Sequence, residues 1–150
     1  MEELDLKQFL EKYRATSVDF YRFPGNYGDS LIWHGTKALL KVLNIRENYV
    51  EISSPKSNDV LFIDGGGNFV DYYSDIRDFL IKKSDLYKEI VTLPHTIFGD
   101  DQINVLNNLS GNVTVFCREK VSFELSYKTP IWHRNTLKIS RPLLIFSKTR

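Results

Sequence analysis

Phe23-Pro24-Gly25-Asn26-Tyr27-Gly28-Asp29-Ser30-Leu31-Ile32 carries the reading of the fold. It reads as a strand end, a glycine-bearing turn and the start of an amphipathic helix. Tyr21 and Phe23 belong to the strand. Gly25 and Gly28 permit a tight turn and a close backbone approach. Asp29 or Ser30 is placed to cap the helix by accepting from its free N–H groups. A strand-to-helix turn presents those donors at the positive end of a helix dipole, a natural place for an anion. The spacing is neither a Walker loop nor G-x-G-x-x-G. Two readings therefore stand side by side. Asn26, Gly28, Asp29 and Ser30 hold a sugar or phosphate, or Asn26 takes a left-handed turn and Asp29 merely caps the helix.

Working outward, Val60-Leu61-Phe62-Ile63 is a continuous apolar run, as expected of a central parallel strand. It enters Asp64-Gly65-Gly66-Gly67-Asn68-Phe69. Consecutive glycines are costly in conformational entropy, so something approaches the backbone closely there. Gly65, Gly66, Gly67 and Asn68 thus admit a ligand, or they admit a packed protein neighbour.

The remaining elements follow from periodicity. Helices are expected over 3–14, 29–43, 72–82, 102–109 and 118–125, and strands over 18–23, 49–52, 60–63, 90–93 and 113–117. The second helix should bury Leu31, Gly35, Ala38, Leu39 and Val42, with Gly35 packed close to the sheet. Pro94 should break the fourth strand. Alternating strands and helices with apolar strand interiors predict an α/β, Rossmann-like parallel sheet with flanking helices. Such sheets place ligands at the carboxyl ends of their strands, where the glycine turns fall.

At 150 residues the chain has the size of one domain. Its net charge of +1 argues against a general nucleic-acid binder. The single cysteine, Cys117, rules out an internal disulfide and fits a reducing compartment; its apolar setting suggests a buried thiol. The N-terminus lacks the apolar core of a secretory signal. No apolar run approaches the roughly 20 residues that cross a bilayer. A cytoplasmic protein with at most peripheral membrane contact is expected. Residues 1–124 hold 14 Lys+Arg against 19 Asp+Glu, whereas 125–150 hold 6 basic residues and no acid. The basic tail, 128–150, is expected either to be foreign to the rest through truncation or frameshift, or to meet an acidic partner. Its patch at 143–146 could pair as an edge strand.

Several side chains suit chemistry. His95, at a strand end, is placed to act as general acid or base, or to fix a loop or contact a ligand. Arg118 could grip a carboxylate or phosphate as a fork, or simply pair with Glu119. His34 reads as surface or packing. Asp64, Asp71 and Asp75 are too loosely spaced to argue for a metal, and no Cys/His cluster has zinc spacing.

In order along the chain, PGNYGDSLI, DGGGNFVDYY, LPHTIFG and FCREKVSFE resemble the polysaccharide pyruvyltransferase family over residues 21–127. The resemblance implies a Rossmann-like domain over 1–127, equivalent to one half of a glycosyltransferase-B-type fold. It implies pyruvyl ketal transfer from phosphoenolpyruvate, as donor substrate, to a sugar in bacterial exopolysaccharide or cell-wall glycan synthesis, without a cofactor. The substrate-contacting positions it implies are Asn26, Gly28, Asp29, Ser30, Gly65, Gly66, Gly67, Asn68, His95, Thr96, Arg118 and Glu119. Family members commonly carry glutamine where this chain has His95, and they are about twice as long. The expected partners are therefore a glycan, nucleotide-sugar or lipid-linked saccharide, together with a separate C-terminal domain or another copy of the chain. An inactive half-enzyme is expected; the alternative is a non-catalytic glycan- or nucleotide-sugar-binding module or a truncated remnant.

Overall fold

The computed structural model describes residues 5–23, 25–109, 111–127 and 137–139. Its strands are β1 (Ser17–Tyr21), β2 (Arg46–Val50), β3 (Val60–Ile63), β4 (Gly66–Val70), β5 (Glu89–Phe98), β6 (Val113–Cys117) and β7 (Leu137–Ile139). Its helices are α1 (Leu6–Leu10), α2 (Tyr27–Val42), α3 (Asp75–Lys83), α4 (Asp100–Asn108) and α5 (Lys120–Tyr127). The sheet order is β2-β1-β3-β5-β6-β7, and β4 pairs with β5. Every pairing is parallel.

The pleat sorts apolar side chains onto two faces, because successive residues of a strand point opposite ways. Phe20, Phe62, Val91 and Phe116 meet Leu6 and Leu10 of α1 and Trp33, Leu39 and Leu40 of α2. On the other face Leu61, Ile63, Ile90 and Val115 meet Ile76, Phe79 and Leu80 of α3, Leu106 of α4 and Phe123 of α5. The chain leaves β1 towards β2 on one side and returns to β3 on the other. The strand order therefore reverses between β1 and β3, and a crevice opens at their carboxyl ends.

The fold class is the one the sequence predicts; several elements are not. α1 is shorter than the expected 3–14. It ends in a 3-10 turn at Glu11–Tyr13 before Ala15, whose φ of 59° stops the helix. Phe23 lies beyond β1. α2 turns a different stripe inward. Of the expected stripe Leu39 is buried, but Leu31 and Val42 are 74% and 61% exposed and Ala38 is exposed, while Trp33 and Leu40 are buried instead. Nothing lies within 4 Å of a Cβ added at Gly35, so its expected close packing is absent. β2 begins earlier than expected, after Asn44 at φ 53° closes α2. α3 starts at Asp75, leaving Tyr72 and Tyr73 exposed ahead of it.

Two corrections shape the site. Residues 66–70, read as a glycine loop, form β4, which continues along the same side of β5 as β3. Pro94, expected to break its strand, lies inside β5. It is tolerated because the pairing with β6 shifts register between Thr92 and His95, so its missing N–H falls where the ladder is already interrupted. β7 adds an edge strand beside β6, paired Val115 to Leu137. The patch at 143–146 lies outside the described residues. Among the described residues no helix is long and apolar enough to cross a membrane.

Candidate functional site

The crevice between β1 and β3 holds a cleft of about 360 Å³. One wall is the start of α2. Asn26 caps that helix, accepting from Gly28 N at 2.8 Å and Asp29 N at 3.3 Å. Asp29 returns the contact by accepting from Asn26 N at 2.9 Å, which completes a capping box. The cap is thus Asn26 rather than Asp29 or Ser30, and Asn26 has a φ of −85°, not a left-handed turn. Ser30 turns its hydroxyl back to Asn26 O at 3.3 Å.

The opposite wall follows β3. Gly65, Gly67 and Asn68 line it together with Asp64, while Tyr73 and Asp75 close the far side. Asp64 was weighed in the sequence only as a metal ligand, yet it is 5% exposed and faces the cleft. Its Oδ1 accepts from Gly65 N at 3.0 Å, and Arg22 Nε stands 3.9 Å from its Oδ2. Burial pushes its pKa up to about 6, against the pull of Gly65 N–H, Arg22 and Thr36, with Asp29 adding to the rise. Its sequence signal was an acid placed directly after a fully apolar strand. Tyr73 had no such signal, because it sat inside an expected helix. Among the described residues no group of three or more His, Cys, Asp or Glu could hold a metal ion.

His95 lies behind Gly66, its register partner across β4 and β5. The ring is fully buried, with its edge towards Phe69 at a centroid separation of 6.2 Å. Its Nδ1 is 2.7 Å from Leu93 O. A carbonyl only accepts, so Nδ1 carries the proton and Nε2 is a bare acceptor. Burial drives the pKa down to about 4; Arg118 pushes the same way, and the Leu93 contact and Asp29 oppose it. At neutral pH His95 is an uncharged acceptor at Nε2.

Thr96, Arg118 and Glu119 gather at the β5–β6 end instead. Thr96 Oγ1 donates to Glu119 Oε2 at 3.3 Å, and Arg118 Nε lies 3.4 Å from the same oxygen. Ser122 Oγ donates to Glu119 Oε1 and accepts from Ile97 N at 2.8 Å. This network fixes the rim. Arg118 also borders a separate apolar groove of about 290 Å³ with Leu31, Leu93 and Pro94. Asn26 and Arg118 follow the ends of β1 and β6, but Gly66 opens β4 and His95, expected at a strand end, lies inside β5, paired with Gly66 and Cys117 because β5 runs on past Pro94.

The family model described as polysaccharide pyruvyl transferase matches residues 26–130. The chain belongs to that family. The matched span contains His95, the Arg118 rim and the cleft lining from Asn26 to Asp75; Phe23 and Gly25, which also line the cleft, precede it. No curated protein matches the chain. A solved structure, that of an uncharacterized protein of Klebsiella pneumoniae, resembles it with a TM-score of 0.76 at 22% identity. The likeness covers 91% of this chain and 53% of that one, so this pyruvyltransferase-family chain spans about half the length of its structural neighbour. At that identity the likeness concerns the fold.

Proposed function

We propose that this chain forms the acceptor side of a polysaccharide pyruvyltransferase and turns over nothing by itself. In the reaction of that class, one sugar hydroxyl adds across the enol of phosphoenolpyruvate as the terminal carbon gains a proton. A second hydroxyl then displaces phosphate, which leaves a pyruvyl ketal. The glycan is of the exopolysaccharide or cell-wall kind, and the reaction belongs to the cytoplasm, where phosphoenolpyruvate is made.

The observation that carries this reading is the polar cleft at the strand-order reversal, most of whose lining falls in the span that matches the family. Its carboxylates and amides, Asn26, Asp29, Asp64 and Asn68 among them, suit sugar hydroxyls. Arg118, the side chain suited to a carboxylate or phosphate, is engaged with Glu119 outside the cleft. Donor contacts and the closing wall then belong to a second domain or a second copy. Near-attack geometry with water excluded is worth on the order of 7–11 kcal/mol, which a half-cleft does not supply.

The test is to incubate the purified chain with phosphoenolpyruvate and a β-galactoside or N-acetylmannosamine acceptor. Released phosphate and a ketal methyl signal are the readouts. No turnover is expected. Turnover that disappears in Arg118→Ala or His95→Ala would move catalysis into this half and overturn the reading.

A further inference from the structure

The outward side of α2 carries a second apolar stripe. Tyr27, Leu31, Gly35, Ala38 and Val42 fall within a sector of about 80° on this helix, at about 100° per residue. Tyr27, Leu31, Ala38 and Val42 are exposed. Among the described residues nothing lies within 4 Å of a Cβ added at Gly35. The fold uses the other side of the helix, through Trp33, Leu39 and Leu40. A surface helix ordinarily turns polar residues outward, and a contiguous apolar face left outside marks an interaction site. His34, Lys37 and Lys41 lie to one side of the stripe and keep their charge in solvent. On its other side the face runs on into the apolar groove, where Leu6 and Leu10 of α1 meet Leu31 and Gly35.

The order of the stripe indicates its partner. Tyr27 and Val42 are equally far from the midpoint between His34 and Gly35, and so are Leu31 and Ala38. A second α2, run antiparallel about a two-fold axis at that midpoint, sets its Val42 against Tyr27 and its Ala38 against Leu31. Each large side chain meets a smaller one, each contact occurs twice, and Gly35 beside the axis lets the two backbones approach. Within the chain Gly35 costs helix stability and gains no packing in return. An isologous interface requires such self-complementary spacing, and a foreign partner does not. One helix face is narrow beside the roughly 1,200–2,000 Å² of a standard interface, and the groove widens it only in part, so the pairing is weak and reversible.

We propose that the chain forms a reversible homodimer in which α2 packs antiparallel on α2 of a second copy, about a two-fold axis between His34 and Gly35. None of the stripe lines the polar cleft, so the inference goes beyond the acceptor-side reading and stands apart from it.

The experiment measures the sedimentation of the full chain across the micromolar range. A monomer–dimer equilibrium is expected. Leu31→Glu alters an exposed side chain, so the fold should hold, and it places a carboxylate inside the pair. Dimerisation should weaken by at least about tenfold. Leu31→Glu combined with Ala38→Lys sets opposite charges against each other twice across the axis. The double variant should pair at least about tenfold more tightly than Leu31→Glu alone. Ile81→Glu, at an exposed position of α3, should leave the equilibrium within about twofold of the original. His34→Cys, beside the axis, should cross-link two chains on mild oxidation, whereas Val42→Cys, at the end of the stripe, should not. The native thiol of Cys117 is buried and does not compete. Far-ultraviolet circular dichroism establishes that each variant is folded. A monomer at every concentration would overturn the proposal, as would a dimer indifferent to Leu31→Glu. Failure of the double variant to recover, or of His34→Cys to cross-link, would overturn the two-fold pairing. None of these outcomes touches the acceptor-side reading.

Discussion

Gly65 lies against the backbone of Pro94. A Cβ added to Gly65 would sit 2.8 Å from the Pro94 carbonyl oxygen and 3.4 Å from its nitrogen. The two residues mark the point where β3 gives way to β4 and where β5 shifts register. Both irregular strands therefore depend on a bare backbone at Gly65, next to the buried Asp64 carboxylate.

Gly65→Ala should destabilise the fold by about 1–3 kcal/mol, because the obstructing atoms are main chain and give way poorly. Gly67→Ala is the control, since nothing lies within 4 Å of its added Cβ. Urea midpoints for the two variants should separate clearly. Equal midpoints would show that the strand break relaxes without strain.

The triple glycine was legible as a place of close approach, and half of its explanation was not. Gly65 answers to packing against Pro94, Gly66 sits where a Cβ would come 3.2 Å from Asn68 Oδ1, and Gly67 is open. Sequence pattern could not assign these three roles, because each depends on what β5 brings alongside. β4 was missed for the same reason: glycine has poor strand propensity, and pairing with a long central strand overrides it. By contrast, β3 and β6 were clear, because both faces of a central parallel strand are buried and the apolar run is continuous. The inward stripe of α2 was misplaced because Trp33 packs on Phe20 at 5.3 Å between centroids, a tertiary choice that rotates the helix.

Asn26→Ala should cost about 1 kcal/mol, the usual worth of a helix cap. The side-chain half of the capping box goes, since Asn26 Oδ1 accepts the Gly28 and Asp29 amides, while the backbone N–H that donates to Asp29 Oδ2 remains. Thermal unfolding measures the loss. Hydrogen exchange should show it concentrated at Gly28 and Asp29 rather than spread through the sheet.

Cys117 should resist thiol reagents in the folded protein. It is fully buried on β6, and burial, with Glu119 adding to it, pushes the thiol pKa up to about 12. The thiolate is the reactive form. Labelling by an aromatic disulfide should therefore track unfolding and be complete only in denaturant. Rapid stoichiometric labelling under native conditions would contradict the described packing of β6.

Asp64 and His95 should pull stability in opposite directions across one pH window. The Asp64 pKa is raised by burial from 3.8 to about 6, so between these values the folded chain holds more proton than the unfolded one. Its contribution therefore falls as pH rises through that range. The His95 pKa is lowered by burial from 6.5 to about 4, so there the unfolded chain holds more proton, and its contribution rises with pH. Asp29 bears on both groups, Arg22 on Asp64 and Arg118 on His95. Urea midpoints of the unaltered protein from pH 4.5 to 6.5 should thus change little from this pair. Asp64→Asn should expose the histidine, giving a fold that weakens on acidification and is more stable than the original at pH 7. His95→Gln should expose the carboxyl, giving a fold that strengthens as pH falls from 6 towards 4. Parallel pH profiles for the two variants would mean that neither group is held in the protonation state its burial imposes.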